Sequence, residues 1–182
     1  MLAQYRLPFI DLDAICKQLL LPNQPGWQAL QKVLADNFFS QSGHLDRRVL
    51  REAIFTDASL RTQIDTLLHP LARQAMTEQL FKLDAPVVLA EIPLLFEVGW
   101  QDTVDLIIVV YAPIAVRLER IIQRDQVTIA QALMAINSQH CLFAKARQAD
   151  HVIDNSRNWP GTILQLQRLV RSHPCGKRFF TE

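Results

Sequence analysis

Two continuous runs of aliphatic residues dominate the hydrophobic pattern of this chain. They predict strands at 87–91 and 105–111. Neither run alternates with polar residues, which is typical of strands buried on both faces of a parallel sheet. Shorter apolar segments at 7–10 and 151–154 predict two further strands.

Between these strands, apolar residues recur with the spacing of amphipathic helices. Segments with this spacing are 12–20, 26–38, 46–54, 57–82, 113–124, 128–147 and 160–172. Alternation of strands and helices predicts the doubly wound α/β class, with a parallel sheet covered on both faces. The stretch 12–83 is predicted to be wholly helical and is far longer than one crossover requires. We interpret it as a helical insertion that carries a specificity site.

Composition places the chain among ordinary globular proteins. Its 182 residues suit one domain, and 49% hydrophobic with 20% charged residues argues against disorder. A net charge of +1 gives no general surface for nucleic acid. The longest apolar run, Leu106–Val116, is too short to span a bilayer, so no membrane association is expected.

The cysteines and the amino-terminal residues indicate the compartment. Three cysteines, far apart in sequence, match neither a disulfide framework nor a zinc site; they are Cys16, Cys141 and Cys175. The first residues lack the basic and apolar regions of a secretory signal. We therefore expect a reduced, cytoplasmic protein.

Carboxylates follow two of the predicted strands. Asp11 and Asp13 come directly after the first, where they can hold Mg²⁺ or accept a proton from an attacking hydroxyl. Capping of the next helix is the alternative, and both roles can coexist. Glu91 ends the strand 87–91, at the position of a metal-binding acid in nucleotide-binding sheets, or it simply precedes a proline-directed turn. Glu97 is a candidate for contact with a cationic substrate group, and 94–96 are expected in the core.

A basic helix face follows the third strand. Arg117, Arg120 and Arg124 share one face of the predicted helix 113–124. Such a face beside a crevice can neutralise a transferring phosphoryl group. The alternative is a solvated face that includes Glu119.

The helical stretch contains two polar pairs. Asp46 and Arg47 can grip an anionic substrate, or Asp46 can cap the helix that begins at Arg47. His69 precedes Pro70, which predicts an extended or turn conformation that presents the ring at a helix junction. A partly buried, hydrogen-bonded histidine is the alternative.

One phosphate-binding element is missing from the sequence. No Gly-x-x-x-x-Gly-Lys-Ser/Thr loop (P-loop) occurs among the 182 residues. The one Gly-Lys pair, Gly176-Lys177, lies in a polar tail without a strand before it or a helix after it.

Short segments along nearly the whole chain resemble the dephospho-coenzyme A kinase family. They are Ile10–Ala14, Gly43–Arg47 with Ile54-Phe55, Leu68–Leu71, Ile92–Glu97, Val109-Val110, Arg117-Leu118 with Gln123–Asp125, and Ala149–Asn155. Their shared order and spacing make the combination specific. The Pro-Leu-Leu-Phe-Glu and Val-Ile-Asp-Asn stretches are the most telling.

The resemblance implies a single three-layer P-loop kinase-like domain over 1–182. Within it, 14–83 would be a helical insertion for coenzyme A binding and 117–147 a helical lid, with the first strand and the P-loop missing. The family transfers the γ-phosphoryl group of ATP, with Mg²⁺, to the ribose 3′-hydroxyl of dephospho-CoA.

Family roles carry over residue by residue. Asp13 matches the base toward the 3′-hydroxyl, with Asp11 beside it, and Asp11 and Glu91 are the expected metal ligands. The resemblance places substrate binding at Asp46, Arg47, His69 and Pro70, and Glu97 is added from its position after the second strand. It places nucleotide binding at Arg124 and Asn155, and Arg117 is added from the basic helix face.

The chain departs from the family pattern at smaller points too. Glu91 stands where many relatives have Asp, and Arg157 where a glycine is common. No arginine lies between Arg124 and Arg147, although many relatives carry one near the position of Ala135.

The missing P-loop has two expected costs. Without its backbone donors and lysine, catalysis should fall by several orders of magnitude, because one preorganised donor is worth roughly a hundred- to a thousandfold. By resemblance the strand before the loop is central, so its neighbours are expected to have unpaired edges, at about 1–3 kcal/mol per buried group.

Three interpretations remain open. The first is a family member with a misplaced start, in which Leu2–Tyr5 continue a helix that begins upstream. The second is a non-catalytic relative that binds coenzyme A or a partner protein. The third is another nucleotide kinase of the same superfamily.

Overall fold

The computed structural model describes residues 7–172 and 179–181. The chain divides into two compact units, one made of Met1–Phe9 with Asp84–Glu182 and the other of Ile10–Leu83. We call them the sheet unit and the helical unit. Residues 2–5 and the pair at 176–177 lie outside the described residues, so the expectations for them remain predictions.

Five strands and eight helices are present in the described part of the chain. The strands are β1 (Phe9–Asp11), β2 (Leu89–Glu91), β3 (Ile107–Tyr111), β4 (His151–Asp154) and β5 (Phe179–Thr181). The helices of the helical unit are α1 (Leu12–Leu19), α2 (Pro25–Gln31), α3 (Arg47–Thr56) and α4 (Ala58–Lys82). Those of the sheet unit are α5 (Ile114–Asp125), α6 (Ile129–Asn137), α7 (Leu142–Ala146) and α8 (Trp159–Ser172). None of the described helices is long and apolar enough to cross a membrane.

The strands form one sheet in the order β1-β2-β5-β3-β4. The pairs β2–β5, β5–β3 and β3–β4 are all parallel, with Val109 opposite Val152 in the last of them. The α/β class with a parallel sheet is therefore confirmed. The two main strands begin at Leu89 and Ile107, two residues later than predicted.

The strand β5 corrects one expectation. It lies between β2 and β3 and pairs with both, Leu89 with Phe179 and Ile107 with Phe180, so these two strands do not have unpaired facing edges. The prediction was wrong because a three-residue strand is too short to show a hydrophobic period. Its Phe-Phe-Thr composition is nevertheless typical of strands.

The core of the sheet unit explains why α8 packs where it does. Leu166 and Leu169, three residues apart on α8, pack against Leu89, Ile108 and Ile153 of three strands. Asp150 holds the start of β3, since its Oδ2 accepts a hydrogen bond from the Ile107 backbone N–H at 2.7 Å.

The helical unit has its own core and its own caps. Leu30, Leu34, Leu45, Leu50 and Ile64 form a buried cluster. Asp46 and Asp57 cap α3 and α4 by accepting backbone N–H bonds in the first turn, as their residue type favours. The unit is not wholly helical, because Phe39 and Leu45 form an isolated antiparallel bridge.

Two predicted helices are each interrupted. The segment 26–38 forms α2 and then a 3₁₀ turn at Asp36–Phe38, because Ala35 is extended. The segment 128–147 forms α6 and α7, since the backbone N–H of His140 bonds to the Glu97 carboxylate at 2.7 Å instead of continuing the helix.

The predicted junction at His69-Pro70 is also wrong. Helix α4 continues through Pro70, and His69 lies 3.8 Å from Asp65 one turn earlier. A proline in a helix loses one backbone hydrogen bond. Here Ile64, Ala72 and Met76 are buried on either side, and we attribute the continuity of the helix to their packing.

Candidate functional site

A cavity of about 290 Å³ opens at the carboxyl ends of strands in the sheet unit. It is lined by residues from β3 and its exit, the segments after β2 and β4, α5, and the α6–α7 region; these are Val109, Val110, Ala112, Pro93, Asn155, Arg117, Arg120, Gln139, Leu142 and Lys145. In open α/β sheets this edge is where ligands bind. Its size suits part of a cofactor-sized ligand.

The local sequence explains how the strand exits shape this cavity. Pro113 ends the extended segment after β3 and precedes α5 at Ile114, so Arg117 lies in the first turn and Arg120 one turn further on the same face. The backbone N–H of Asn155 donates to the Tyr111 carbonyl at 2.8 Å. The Thr162 hydroxyl donates to Asn155 Oδ1 at 3.2 Å, which fixes the amide beside the cavity.

The cavity is rich in positive charge. Arg117, Arg120 and Lys145 line it, and Lys145 Nζ lies 2.8 Å from Glu97 Oε1. Burial on its own raises the pKa of Glu97, but hydrogen bonds from Lys145 and from the His140 backbone outweigh it and hold the pKa below its ordinary value. Glu97 is therefore ionised at neutral pH, and the two arginines and the lysine of the cavity lining suit an anion.

The lowered pKa of Glu97 predicts an acid limit to stability. A carboxyl whose folded pKa is depressed stabilises the fold above its unfolded pKa, near 4.3, and this stabilisation is lost as pH falls through the folded value. We expect the urea midpoint of the wild-type protein to drop between about pH 4.5 and pH 3 by more than that of Glu97→Gln. Parallel pH profiles for the two proteins would contradict this assignment.

Arg124 lies outside this cavity. Its guanidinium makes two bonds to Asp125, at 2.6 and 2.8 Å, and this carboxylate raises the pKa of Arg124. It lines a separate shallow depression with Arg120, Ile121 and Gln123. Of the three predicted nucleotide-binding residues, the structure brings together Arg117 and Asn155, and Arg124 remains a prediction.

The predicted acidic residues occupy different positions. Asp11 caps α1, with its Oδ1 accepting from the Ala14 N–H at 3.0 Å, which confirms the capping interpretation. Asp13 is exposed in the first turn of α1, and Glu91 is exposed at the end of β2. Within the described ranges, no group of three or more His, Cys, Asp or Glu side chains forms a metal site. Mg²⁺ commonly takes one or two carboxylates together with substrate phosphates, and Asp11 and Glu91 each carry oxygen donors of this type.

The predicted substrate-binding residues of the helical unit have local partners. Asp46 accepts the N–H groups of Arg48 and Val49 at 3.0 and 3.1 Å, so its capping role is confirmed. Arg47 donates to the Lys17 carbonyl at 3.0 Å, which ties α3 to α1. Substrate contacts of Asp46, Arg47, His69 and Pro70 remain predictions.

A larger cleft lies elsewhere in the helical unit. It has a volume of about 570 Å³ and is lined by α1, the start of α2 and α4, with four glutamines, Gln18, Gln24, Gln74 and Gln79. Glutamine side chains both donate and accept hydrogen bonds. None of the four predicted substrate residues of this unit lines the cleft.

Sequence reasoning named part of the cavity lining, missed Lys145 and misplaced a residue outside the lining. Arg120 was predicted on the basic face it shares with Arg117, although it was not among the expected nucleotide-binding residues. Lys145 was missed because a lysine is usually exposed and nothing in the sequence marked it as interior. Leu94, expected in the core with its neighbours, is 40% exposed, whereas Leu95 and Phe96 are buried.

Two cysteines are expected to differ in reactivity. Cys141 is exposed before α7, where the backbone N–H groups of Ala144 and Phe143 lower its pKa, whereas burial, Asp13 and Asp11 raise the pKa of Cys16. Since the thiolate is the nucleophile, iodoacetamide should alkylate Cys141 at least about tenfold faster at pH 7. Peptide mapping by mass spectrometry, with Cys175 followed separately, measures both rates. Faster labelling of Cys16 would contradict the prediction.

Comparison with known proteins adds family relationships to this geometry. The family model CoaE, dephospho-CoA kinase, matches residues 1–160. The chain is similar to the dephospho-CoA kinase of Bacillus licheniformis, with 32% identity across 93% of this chain and 86% of the relative. Identity to that of Synechococcus elongatus is 33%, across 92% of this chain and 80% of the relative.

Solved structures agree on the fold. A crystal structure from Thermus thermophilus superposes with a TM-score of 0.77 at 26% identity, covering 94% of this chain and 87% of the other. The dephospho-CoA kinase from Campylobacter jejuni gives a TM-score of 0.66 at 24% identity, covering 94% and 89% of the two chains.

Proposed function

The chain belongs to the dephospho-CoA kinase family, and from that membership we propose that it binds ATP and dephospho-CoA for transfer of the γ-phosphoryl group to the ribose 3′-hydroxyl. The observation that carries the proposal is the cationic cavity of the sheet unit. It joins Arg117 and Asn155, both expected to contact the nucleotide, with Arg120 and Lys145 at the carboxyl ends of parallel strands.

Nucleotide binding follows from the chemistry of this cavity. Arginine guanidinium groups match phosphate oxygens in geometry and charge, so Arg117 and Arg120 suit the phosphates. The Asn155 amide suits the edge of the adenine base. We propose that 117–147 acts as a lid over this side of the site, with Arg124 exchanging Asp125 for phosphate when the lid closes.

Acceptor binding is assigned to residues 14–83 of the helical unit, together with Asp11 and Asp13 at the start of that unit. We propose that Asp13 accepts the proton of the 3′-hydroxyl as general base, with Asp11 beside it. Asp13 is exposed at the start of α1, where a carboxylate is free of packing constraints. Asp46, Arg47, His69 and Pro70 are proposed substrate residues of the same unit. Glu97 was also predicted to bind substrate. Its contacts with Lys145 and His140 support a different role, that of holding the site together.

The proposal also covers the metal ion and the cellular compartment of the protein. Mg²⁺ would neutralise the phosphates of ATP, and Asp11 and Glu91 are the proposed protein ligands. We place the protein in the cytoplasm, acting on small molecules and not on nucleic acid or membranes.

A second function is favoured by one observation, the missing P-loop of the 182-residue sequence. It is a non-catalytic protein that binds coenzyme A or a partner. It shares the substrate-binding properties of the first proposal and differs only in turnover.

Arg117→Gln tests the nucleotide site. We expect this change to weaken ATP binding by about tenfold to a hundredfold, because hydrogen bonds to charged groups contribute about 1.5–3 kcal/mol. Isothermal titration calorimetry with ATP, and separately with dephospho-CoA, measures both affinities.

The matched control is Arg168→Gln, which removes one exposed positive charge of α8 outside the cavity lining. It should leave ATP binding unchanged. Equal affinities of the Arg117 variant and the wild type would refute the proposed nucleotide site. A wild-type protein that fails to bind dephospho-CoA would refute the acceptor assignment.

A further inference from the structure

We propose that Lys145 contacts a phosphate group of the bound nucleotide and that Glu97 is the positioning residue that holds Lys145 in place. This inference rests on the proposed function and deepens it. It assigns to α7 a side chain that contacts phosphate, and α7 is distant in sequence from α5, which carries the two arginines.

The first observation is where Lys145 lies. Lys145 is only 3% exposed, yet it lines the cavity together with Arg117 and Arg120. Lysines are almost never buried to this degree unless they are paired. The side chain therefore directs a charge toward the interior of the site, where water screens it little.

The second observation is how Glu97 grips the α6–α7 region. The single oxygen Oε1 accepts from Lys145 Nζ at 2.8 Å and from the His140 backbone N–H at 2.7 Å. One carboxylate thus fixes both the turn after α6 and a side chain of the short helix α7. Since α7 has only five residues, its own hydrogen bonds give it little rigidity.

The third observation is the incomplete satisfaction of Glu97. Its other oxygen, Oε2, is buried and accepts no hydrogen bond within the described residues. A pair retained for stability alone would be expected to satisfy both oxygens, because an unmet buried acceptor is costly. Among the described residues, Arg117, Arg120 and Lys145 line the cavity and Glu97 is paired with Lys145, so positive charge predominates there and suits a phosphate group.

The competing explanation is that the pair only joins α7 to the segment after β2. The two roles separate when the charges are removed and the packing is kept. Apolar replacement of a buried ion pair often leaves stability unchanged or improves it, so Glu97→Leu combined with Lys145→Met is the informative variant. Glu97→Gln combined with Lys145→Gln is the second variant, which keeps polar side chains at both positions.

The experiment measures binding of ATP, inorganic tripolyphosphate and adenosine to the 182-residue protein by titration calorimetry, with thermal melting as the check on folding. For a variant that melts cooperatively, we expect affinity for ATP and tripolyphosphate to fall at least about tenfold. Adenosine affinity should stay unchanged. Arg168→Gln, matched in lost positive charge, should bind all three probes as the wild type does.

The outcomes separate the inference from the proposed function. Unchanged tripolyphosphate affinity in a folded double variant overturns the role of Lys145 and leaves the proposed function intact. A wild-type protein that binds neither ATP nor tripolyphosphate overturns both. If neither double variant melts cooperatively, the pair is a structural requirement, and the inference is overturned in favour of the joining role.

Discussion

A protein of these 182 residues is expected to transfer phosphoryl groups from ATP to dephospho-CoA at least a hundred- to a thousandfold more slowly than a family member assayed alongside it. The cause is the absent Gly-x-x-x-x-Gly-Lys-Ser/Thr loop, which supplies backbone donors, a lysine for the β- and γ-phosphates and a hydroxyl for Mg²⁺. Arg117, Arg120 and Lys145 supply charge but not this cradle of N–H groups. A coupled assay of ADP release, with and without dephospho-CoA, measures the difference.

The matched comparison is a fusion that places a β-strand and a Gly-x-x-x-x-Gly-Lys-Ser/Thr loop before Met1. Turnover should rise in the fusion, and Asp13→Asn in that background should abolish it while sparing ATP binding. Clear turnover by the unfused protein would show that another part of the chain binds the phosphates. Binding of both substrates without turnover, in the fusion as well, would favour the non-catalytic alternative.

Lys145→Met alone is expected to lower the free energy of unfolding by about 3–5 kcal/mol, because it leaves the Glu97 carboxylate buried without its partner. Typical domains are stable by only about 5–15 kcal/mol, so this single change should threaten folding at physiological temperature. Urea unfolding at pH 7, followed by circular dichroism, measures the effect.

The control for this prediction is a double variant in which both members of the ion pair are replaced. Adding Glu97→Leu to Lys145→Met should recover most of the lost stability, because the uncompensated charge is removed. Arg124→Met is the comparison for a surface pair. Arg124 and its partner Asp125 are both exposed, and an exposed ion pair contributes about 0–1 kcal/mol to stability. Equal losses from Lys145→Met and Arg124→Met would mean that burial of the first pair has no energetic consequence.

The sequence predicted those parts of the fold whose signal is local. The strand β3 and the helix α8 were predicted because long apolar runs and a three- to four-residue spacing each carry one interpretation. The interruption between α6 and α7 was not predicted, because it depends on a hydrogen bond from His140 to Glu97, which is distant in sequence. The strand β5 was missed because its three residues are too short to show a hydrophobic period and its partners lie in the middle of the chain.

The candidate site shows a similar division. Arg117 was expected at the phosphates from the basic face of its helix, and Asn155 was expected at the nucleotide through family resemblance; both line the cavity. The ion pair between Lys145 and Glu97 has no signature in the sequence. Lys145 lies near a helix end, and only tertiary packing buries it there. Arg124 illustrates the converse, as helical spacing groups it with Arg117 while its neighbour Asp125 binds its guanidinium.

The place of β5 in the sheet has a consequence for how the protein is made. Synthesis on the ribosome exposes β2 and β3 long before residues 179–181 emerge, and until then the edges that will accept β5 are open. Open edges of apolar strands pair readily with other chains, and pairing across a long sequence separation is slow. Until residues 179–181 are available, the nascent chain is therefore prone to aggregation through these edges, and its yield in the cell should depend on chaperones.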